Sequence, residues 1–163
     1  IYVGSDTTHL LVDVGISGKK VQEGVNELDL TMNDIDGILI THEHSDHVQG
    51  LRVFAARYNI PVYSSNGTLF SLRNKEILND KHIDMTIPDS GMEICGMFVK
   101  PFKTSHDCSD GRGYVITSSD GVSRAAIATD TGYVSSELLS AITGCGLVFI
   151  ESNHDIAMLK TGP

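Results

Sequence analysis

The run Thr41-His42-Glu43-His44-Ser45-Asp46-His47 follows directly on the apolar segment Ile35-Asp36-Gly37-Ile38-Leu39-Ile40. A chain with this feature must place four potential ligands at the end of a buried strand. His42 and His44 are two residues apart, so extended backbone aims both imidazoles to one side. Asp46 and His47 follow at the expected start of a helix, where the chain turns and presents a second pair. Borderline-soft divalent ions accept this mixture of imidazole and carboxylate. The bland reading is a solvated polar turn with incidental histidines. Four potential ligands within six residues are uncommon by chance, so the metal reading is preferred.

Further candidates fall at strand ends downstream. His106, in Ser105-His106-Asp107, could complete a three-histidine site with His42 and His44. Asp130, in Ala128-Thr129-Asp130-Thr131-Gly132, ends an apolar stretch, and its carboxylate could bridge two ions. A lone aspartate at a strand end is more often a turn former, and the histidine cluster is what raises Asp130 above that. Cys108 lies two residues beyond His106 and could approach the metals, but most isolated cysteines are small buried hydrophobes.

The rest of the chain alternates between strand and helix signals. His9–Gly15 reads as a buried strand closed by a glycine turn. Ser17 is a cap for a helix from Gly18 to Leu28, with Val21, Val25 and Leu28 on its apolar face. A helix from Asp46 to Tyr58 is expected to turn Val48, Leu51, Phe54 and Ala55 inward. Ile60–Tyr63 is a short strand with its proline near the start, and a helix from Asn66 or Thr68 runs through Leu78. Met92–Phe102 reads as strands. Gly113–Thr117 and Ser123–Thr129 form an antiparallel pair around Ser119-Asp120-Gly121. Ser135 or Ser136 caps a helix through Ile142, with Glu137 in its first turn, and Gly146–Glu151 is a last strand. The alternation predicts an α/β fold with helices covering sheets, and the length of 163 residues predicts a single domain over 1–163.

A net charge of −9 argues against a broad basic surface that holds nucleic acid by counterion release. Bound divalent ions would reverse that balance locally, so acidity lowers the case for a nucleic-acid substrate without removing it. No apolar run approaches the roughly 20 residues of a membrane helix, and no membrane association is expected. Three widely spaced cysteines, Cys95, Cys108 and Cys145, do not make a disulfide framework. A reducing cytosol fits them, so the expected location is cytoplasmic.

The order H-x-H-x-D-H, a later Ser-His, Thr-Asp-Thr-Gly and an early Asp-x-Gly resembles the metallo-β-lactamase superfamily. Within it, Gly15-Ile16-Ser17-Gly18-Lys19-Lys20, Thr104-Ser105-His106-Asp107 and Glu151-Ser152-Asn153-His154-Asp155 resemble the YycJ-like (WalJ) branch of bacteria. The resemblance runs from about Leu10 to Pro163. It implies a four-layer αββα sandwich with metals at one edge between the sheets. His42, His44 and His106 would hold one ion. Asp46, His47 and one later histidine would hold a second, with Asp130 bridging and both ions zinc or manganese. Asp13 and Thr41 would orient ligands from behind. The family usually carries an earlier strand and a later Gly-His-Leu-Ser type histidine. Against that pattern the chain is expected to be a core lacking terminal portions.

Two divalent ions of this kind polarise a phosphoryl or acyl oxygen and generate hydroxide from water near neutral pH. Asp46 would orient and accept a proton. His154 has three open roles: a ligand of the second ion, a proton donor near the scissile group, or a buried histidine satisfied by backbone. Glu151 and Asp155 read as loop-holding residues. The branch implies a phosphodiesterase acting on DNA from 5′ ends, and a homodimer is compatible with the fold. Two alternatives stand beside it. One is a thioester or lactone hydrolase; the other is a non-catalytic metal-binding domain.

Overall fold

The structure, a computed structural model, describes residues 1–151. Its first sheet holds β1 (Tyr2–Gly4), β2 (His9–Val12), β3 (Gly37–Leu39), β4 (Val62–Ser64) and β5 (Asp84–Thr86) in spatial order. Strands β2 to β5 run parallel, and β1 is antiparallel to β2. The second sheet holds β6 (Met92–Ile94), β7 (Met97–Lys103), β8 (Arg112–Thr117), β9 (Arg124–Ala128) and β10 (Leu147–Ile150), with β10 at the edge opposite β6. Strands β6 to β9 form an antiparallel meander, and β10 joins β9 in parallel.

Alternation along the strands separates the layers, because successive side chains face opposite sides of a sheet. Leu10 and Val12 of β2 join Leu39 and Tyr63 against Val99, Tyr114, Ile116 and Ile127 of the second sheet, forming the core between the sheets. Leu11 faces the other way and packs with Ile38, Ile40 and Val62 under the helices α1 (Gly18–Asn26), α2 (Ser45–Val48), α3 (Leu51–Tyr58) and α4 (Asn66–Asn74). On the far side, Leu138 of α5 (Ser136–Ile142) covers Phe102, Val115, Ala126 and Ala128. Four layers result, helix–sheet–sheet–helix, as the resemblance implies. Tyr114 is fully buried, and its hydroxyl donates to the Ile40 carbonyl (2.6 Å), joining the sheets beside the histidine motif.

Several boundaries differ from the sequence reading. The helix expected over Asp46–Tyr58 is divided at Gln49 and Gly50, where the Gly50 N–H leaves the helix to bond the Val14 carbonyl (2.8 Å). Helix α1 ends two residues before Leu28, which is exposed and not on the packed face. Helix α4 stops at Asn74 because the Ile77 and Leu78 N–H groups both turn back to the Leu72 carbonyl. Strands β1 and β5 carry no alternation long enough to read in advance. Their pairing comes from β2 and β4. No helix among the described residues is long and apolar enough to cross a membrane.

Gly15 is where the β2 loop meets the histidine motif. A Cβ there would lie 1.4 Å from the Asp46 carbonyl oxygen and 2.9 Å from the His47 nitrogen, both backbone atoms that cannot rotate away. Hydrogen bonds from Val14 N to His47 O and from Gly50 N to Val14 O, each 2.8 Å, fix that approach. Gly15→Ala is therefore expected to cost about 3 kcal/mol or more by forced overpacking, lowering Tm by roughly 6–12 °C. A thermal melt within 2 °C or so of the native protein would contradict the close approach.

Candidate metal centre

The centre forms where four chain segments meet at the same edge of the two sheets. Residues 41–47 leave β3 and enter α2, residue 13 leaves β2, residue 106 follows β7, and residue 130 follows β9. Asp13 and Asp130 both have positive φ, 57° and 48°. A short polar side chain tolerates this left-handed backbone better than a bulky one. In each case the sharp turn ends the strand and leaves the carboxylate at the sheet edge.

Asp13 ties the parts together. Its Oδ1 accepts from the Thr41 N–H (2.9 Å), and its Oδ2 accepts from the Thr41 hydroxyl (2.8 Å) and from His47 Nδ1 (2.8 Å). Because the Thr41 hydroxyl has only one proton, and Asp13 takes it, the 3.0 Å contact to His42 Nδ1 must be donated by the imidazole. That assigns the proton of His42 to Nδ1 and leaves a lone pair on Nε2. His42 is 2% exposed, and this Nε2 is buried without a hydrogen-bond partner. A buried bare lone pair of this kind is costly unless something electrophilic meets it.

The neighbouring contacts have the same character. His106 Nε2 lies 3.1 Å from His44 Nδ1, and His47 Nε2 lies 2.8 Å from Asp130 Oδ2. Since His47 Nδ1 donates to Asp13, the second contact sets a lone pair against a carboxylate unless a proton or a cation lies between them. His42, His44 and His106 form one group whose ligand atoms lie within 4.8 Å of one another, and His42, His47 and Asp130 form another. Both groups include His42, whose nitrogen without a partner is Nε2. The imidazole and carboxylate donors fit a zinc-type divalent ion.

Charge follows from this packing. Burial, with the nearby His47 charge, pulls the His42 pKa down to about 4 despite Asp13. For His47, burial pulls downward, but the hydrogen bond and charge of Asp13, with Asp130 and Asp46, more than offset it and raise the pKa. Burial would raise the Glu43 carboxyl, yet its two bonds from Ser109 hold it below the usual range.

Of the residues singled out in the sequence, His42, His44, His47, His106 and Asp130 come together. Asp13 and Thr41 stand directly behind them. Asp46 is in the first turn of α2 with its side chain 78% exposed and Oδ2 3.8 Å from His47 Nε2. Glu151 accepts from the Asp130 N–H (2.6 Å), a loop-holding contact of the kind expected for it. His154 and Asp155 lie outside the described residues. Cys108 belongs to neither ligand group and contacts the His106 carbonyl at 3.8 Å. Sequence reasoning gave no role to Glu43 and Ser109, which are bonded to each other across the site. The available signal was parity, since a residue between two same-side histidines must face the other way.

A family model described as a beta-lactamase superfamily domain matches residues 8–159. The chain belongs to the metallo-β-lactamase superfamily. Exodeoxyribonuclease YycJ of Bacillus anthracis is 38% identical over 165 residues, 99% of this chain and 61% of that protein. Exodeoxyribonuclease WalJ of Streptococcus pneumoniae is 33% identical over 171 residues, again 99% of this chain and 60% of that protein. This superfamily chain thus sits on the YycJ-like branch and spans about three-fifths of the length of those relatives. The fold matches Zn(2+)-bound PqqB from Methylobacterium extorquens with a TM-score of 0.76, covering 98% of this chain and 62% of that one. At 19% identity this is a likeness of fold.

Two outcomes follow for the metal-stripped protein. The folded pKa of His42, about 4, lies below its ordinary 6.5, so the unfolded chain binds the extra proton between those values. Stability should therefore fall as pH drops from about 6.5 towards 4. The raised His47 acts oppositely, stabilising below 6.5 and losing that contribution only as pH rises through its folded pKa. His42→Gln should flatten the acid arm of a Tm-versus-pH curve, and an unchanged slope would assign the proton uptake elsewhere. Asp13→Ala removes the acceptor for three donors. It should lower Tm and weaken divalent-ion binding by about 10–100-fold in calorimetric titration, and native affinity would refute its orienting role.

Proposed function

We propose that this chain carries the metal site of a hydrolase that cleaves phosphodiester bonds in DNA, trimming from 5′ ends. The reading is carried by one joint observation. The clustered histidines and Asp130 occur in a chain whose full-span relatives bear the name exodeoxyribonuclease. His42, His44 and His106 would hold one divalent ion, and His47, Asp46 and Asp130 a second, with Asp130 between them. When bound, the ions supply a Lewis acid for the phosphoryl oxygen and lower the pKa of an attacking water. Zinc or manganese suits these donors.

The chain's own residues do the remaining work. Asp13 and Thr41 keep the imidazoles in the tautomers that turn lone pairs inward. Asp46, largely exposed on the first turn of α2, is available to orient the water and accept its proton. His154 is retained as a proton donor to the leaving oxygen, and kcat unaffected by His154→Ala would remove it from that role. Substrate phosphates would be met chiefly by the ions, which accounts for a nuclease with a net charge of −9.

The test is single-turnover hydrolysis of 5′-phosphorylated single-stranded DNA by the full natural chain, stripped of metal and then supplied with zinc or manganese. Metal-dependent release of mononucleotides is expected, and His44→Ala should abolish it. Absence of cleavage with two ions bound would sink the nuclease reading and shift the substrate to a small thioester or lactone. Absence of a second ion would leave a non-catalytic metal-binding domain.

A further inference from the structure

Glu43 lies between the two histidines of the motif but faces away from them. It is 6% exposed, and its Oε1 accepts from both the Ser109 N–H (2.9 Å) and the Ser109 hydroxyl (2.6 Å), a partner 66 residues away. Its other oxygen, Oε2, is buried without a partner. Burying a carboxylate with only one oxygen satisfied is expensive. A residue that merely filled space beside the histidines would not need the charge.

The far end of that link is the loop 104–111, which carries His106. The loop closes on itself through Thr104 N to Gly111 O (3.3 Å) and Cys108 N to His106 O (3.0 Å). Its Asp110 carbonyl is held by the hydroxyls of Ser65 (2.7 Å) and Thr68 (3.2 Å) at the start of α4. Arg112 N bonds Thr41 O (3.0 Å) just beyond it. Among these ties Glu43 supplies the side chain that comes from the same short segment as His42 and His44. The three-histidine group therefore has two of its imidazoles on the first sheet and the third on a loop of the second, with Glu43 spanning the gap from within the H-x-H itself.

We propose that Glu43 is a positioning residue: by clamping Ser109 it sets His106 against His42 and His44, so that the three imidazoles converge on one divalent ion. The proposal rests on the metal-site reading above. It predicts that loosening the clamp spoils ligand geometry at the three-histidine site while leaving His47 and Asp130 in place.

Co2+ is the probe, because its visible bands report ligand number and geometry and it binds the same nitrogen and oxygen donors. The full natural chain, Glu43→Ala and Ser109→Ala are titrated with Co2+, and Tm is recorded separately. Glu43→Ala should bind the tighter ion about 10–100-fold more weakly and change its visible spectrum. Ser109→Ala, at an exposed position, should weaken it severalfold in the same direction. Combined with Glu43→Ala, it should add nothing. Native affinity and spectrum in Glu43→Ala would overturn the proposal while sparing the metal site, and if that variant does not fold, native behaviour of Ser109→Ala overturns it equally. Failure of the native chain itself to bind Co2+ would overturn both.

Discussion

The Asp13 carboxylate holds the centre together, because three donors from the segment 41–47 converge on it. Thr41 N–H and hydroxyl fix the exit of β3, and His47 Nδ1 fixes the first turn of α2. Each bond also sets a proton. The Thr41 hydroxyl, having donated to Asp13, can only accept from His42, and His47, having donated from Nδ1, turns Nε2 towards Asp130. A single buried anion thus decides which nitrogens carry lone pairs and where those lone pairs point. The metal-binding character of the edge rests on this assignment as much as on the presence of histidines.

The strand ends that meet here depend on tight backbone geometry. Asp13 and Asp130 turn through the left-handed region, and Gly15 admits the Asp46 carbonyl where any Cβ would collide. Such positions cost energy elsewhere in a protein and persist where surrounding contacts over-determine them. Here the contacts are identifiable. Val14 and Gly50 bond across the approach, and Glu151 bonds the Asp130 N–H. The two sheets are kept in register beneath the centre by the buried Tyr114 hydroxyl on the Ile40 carbonyl.

Much of this was legible in the order of residues. The ligand-rich run after an apolar segment, and the single strand-end residues His106 and Asp130, marked the segments that meet; the alternation of strand and helix signals gave an α/β fold with helices over sheets, and the family resemblance implied its four layers. Other features were not legible for physical reasons. The break at Gln49 and Gly50 arises from a hydrogen bond to Val14, which no local periodicity encodes. Strands β1 and β5 are three residues each and exist through their neighbours. Leu28 fits a helical apolar stripe, yet the helix ends before it and leaves it exposed.

By itself, then, the sequence determined the donor types, their strand-end positions and the superfamily they belong to, because ligand chemistry and strand or helix periodicity are local properties of the chain. Tertiary structure decided which lone pairs face inward, that both three-donor groups include His42, and that Glu43 reaches Ser109 across the sheets. Those outcomes depend on contacts between residues far apart in sequence, among them Asp13 with Thr41 and Glu43 with Ser109, 28 and 66 positions apart. Such contacts exist only once strands distant in sequence have paired and the sheets have packed.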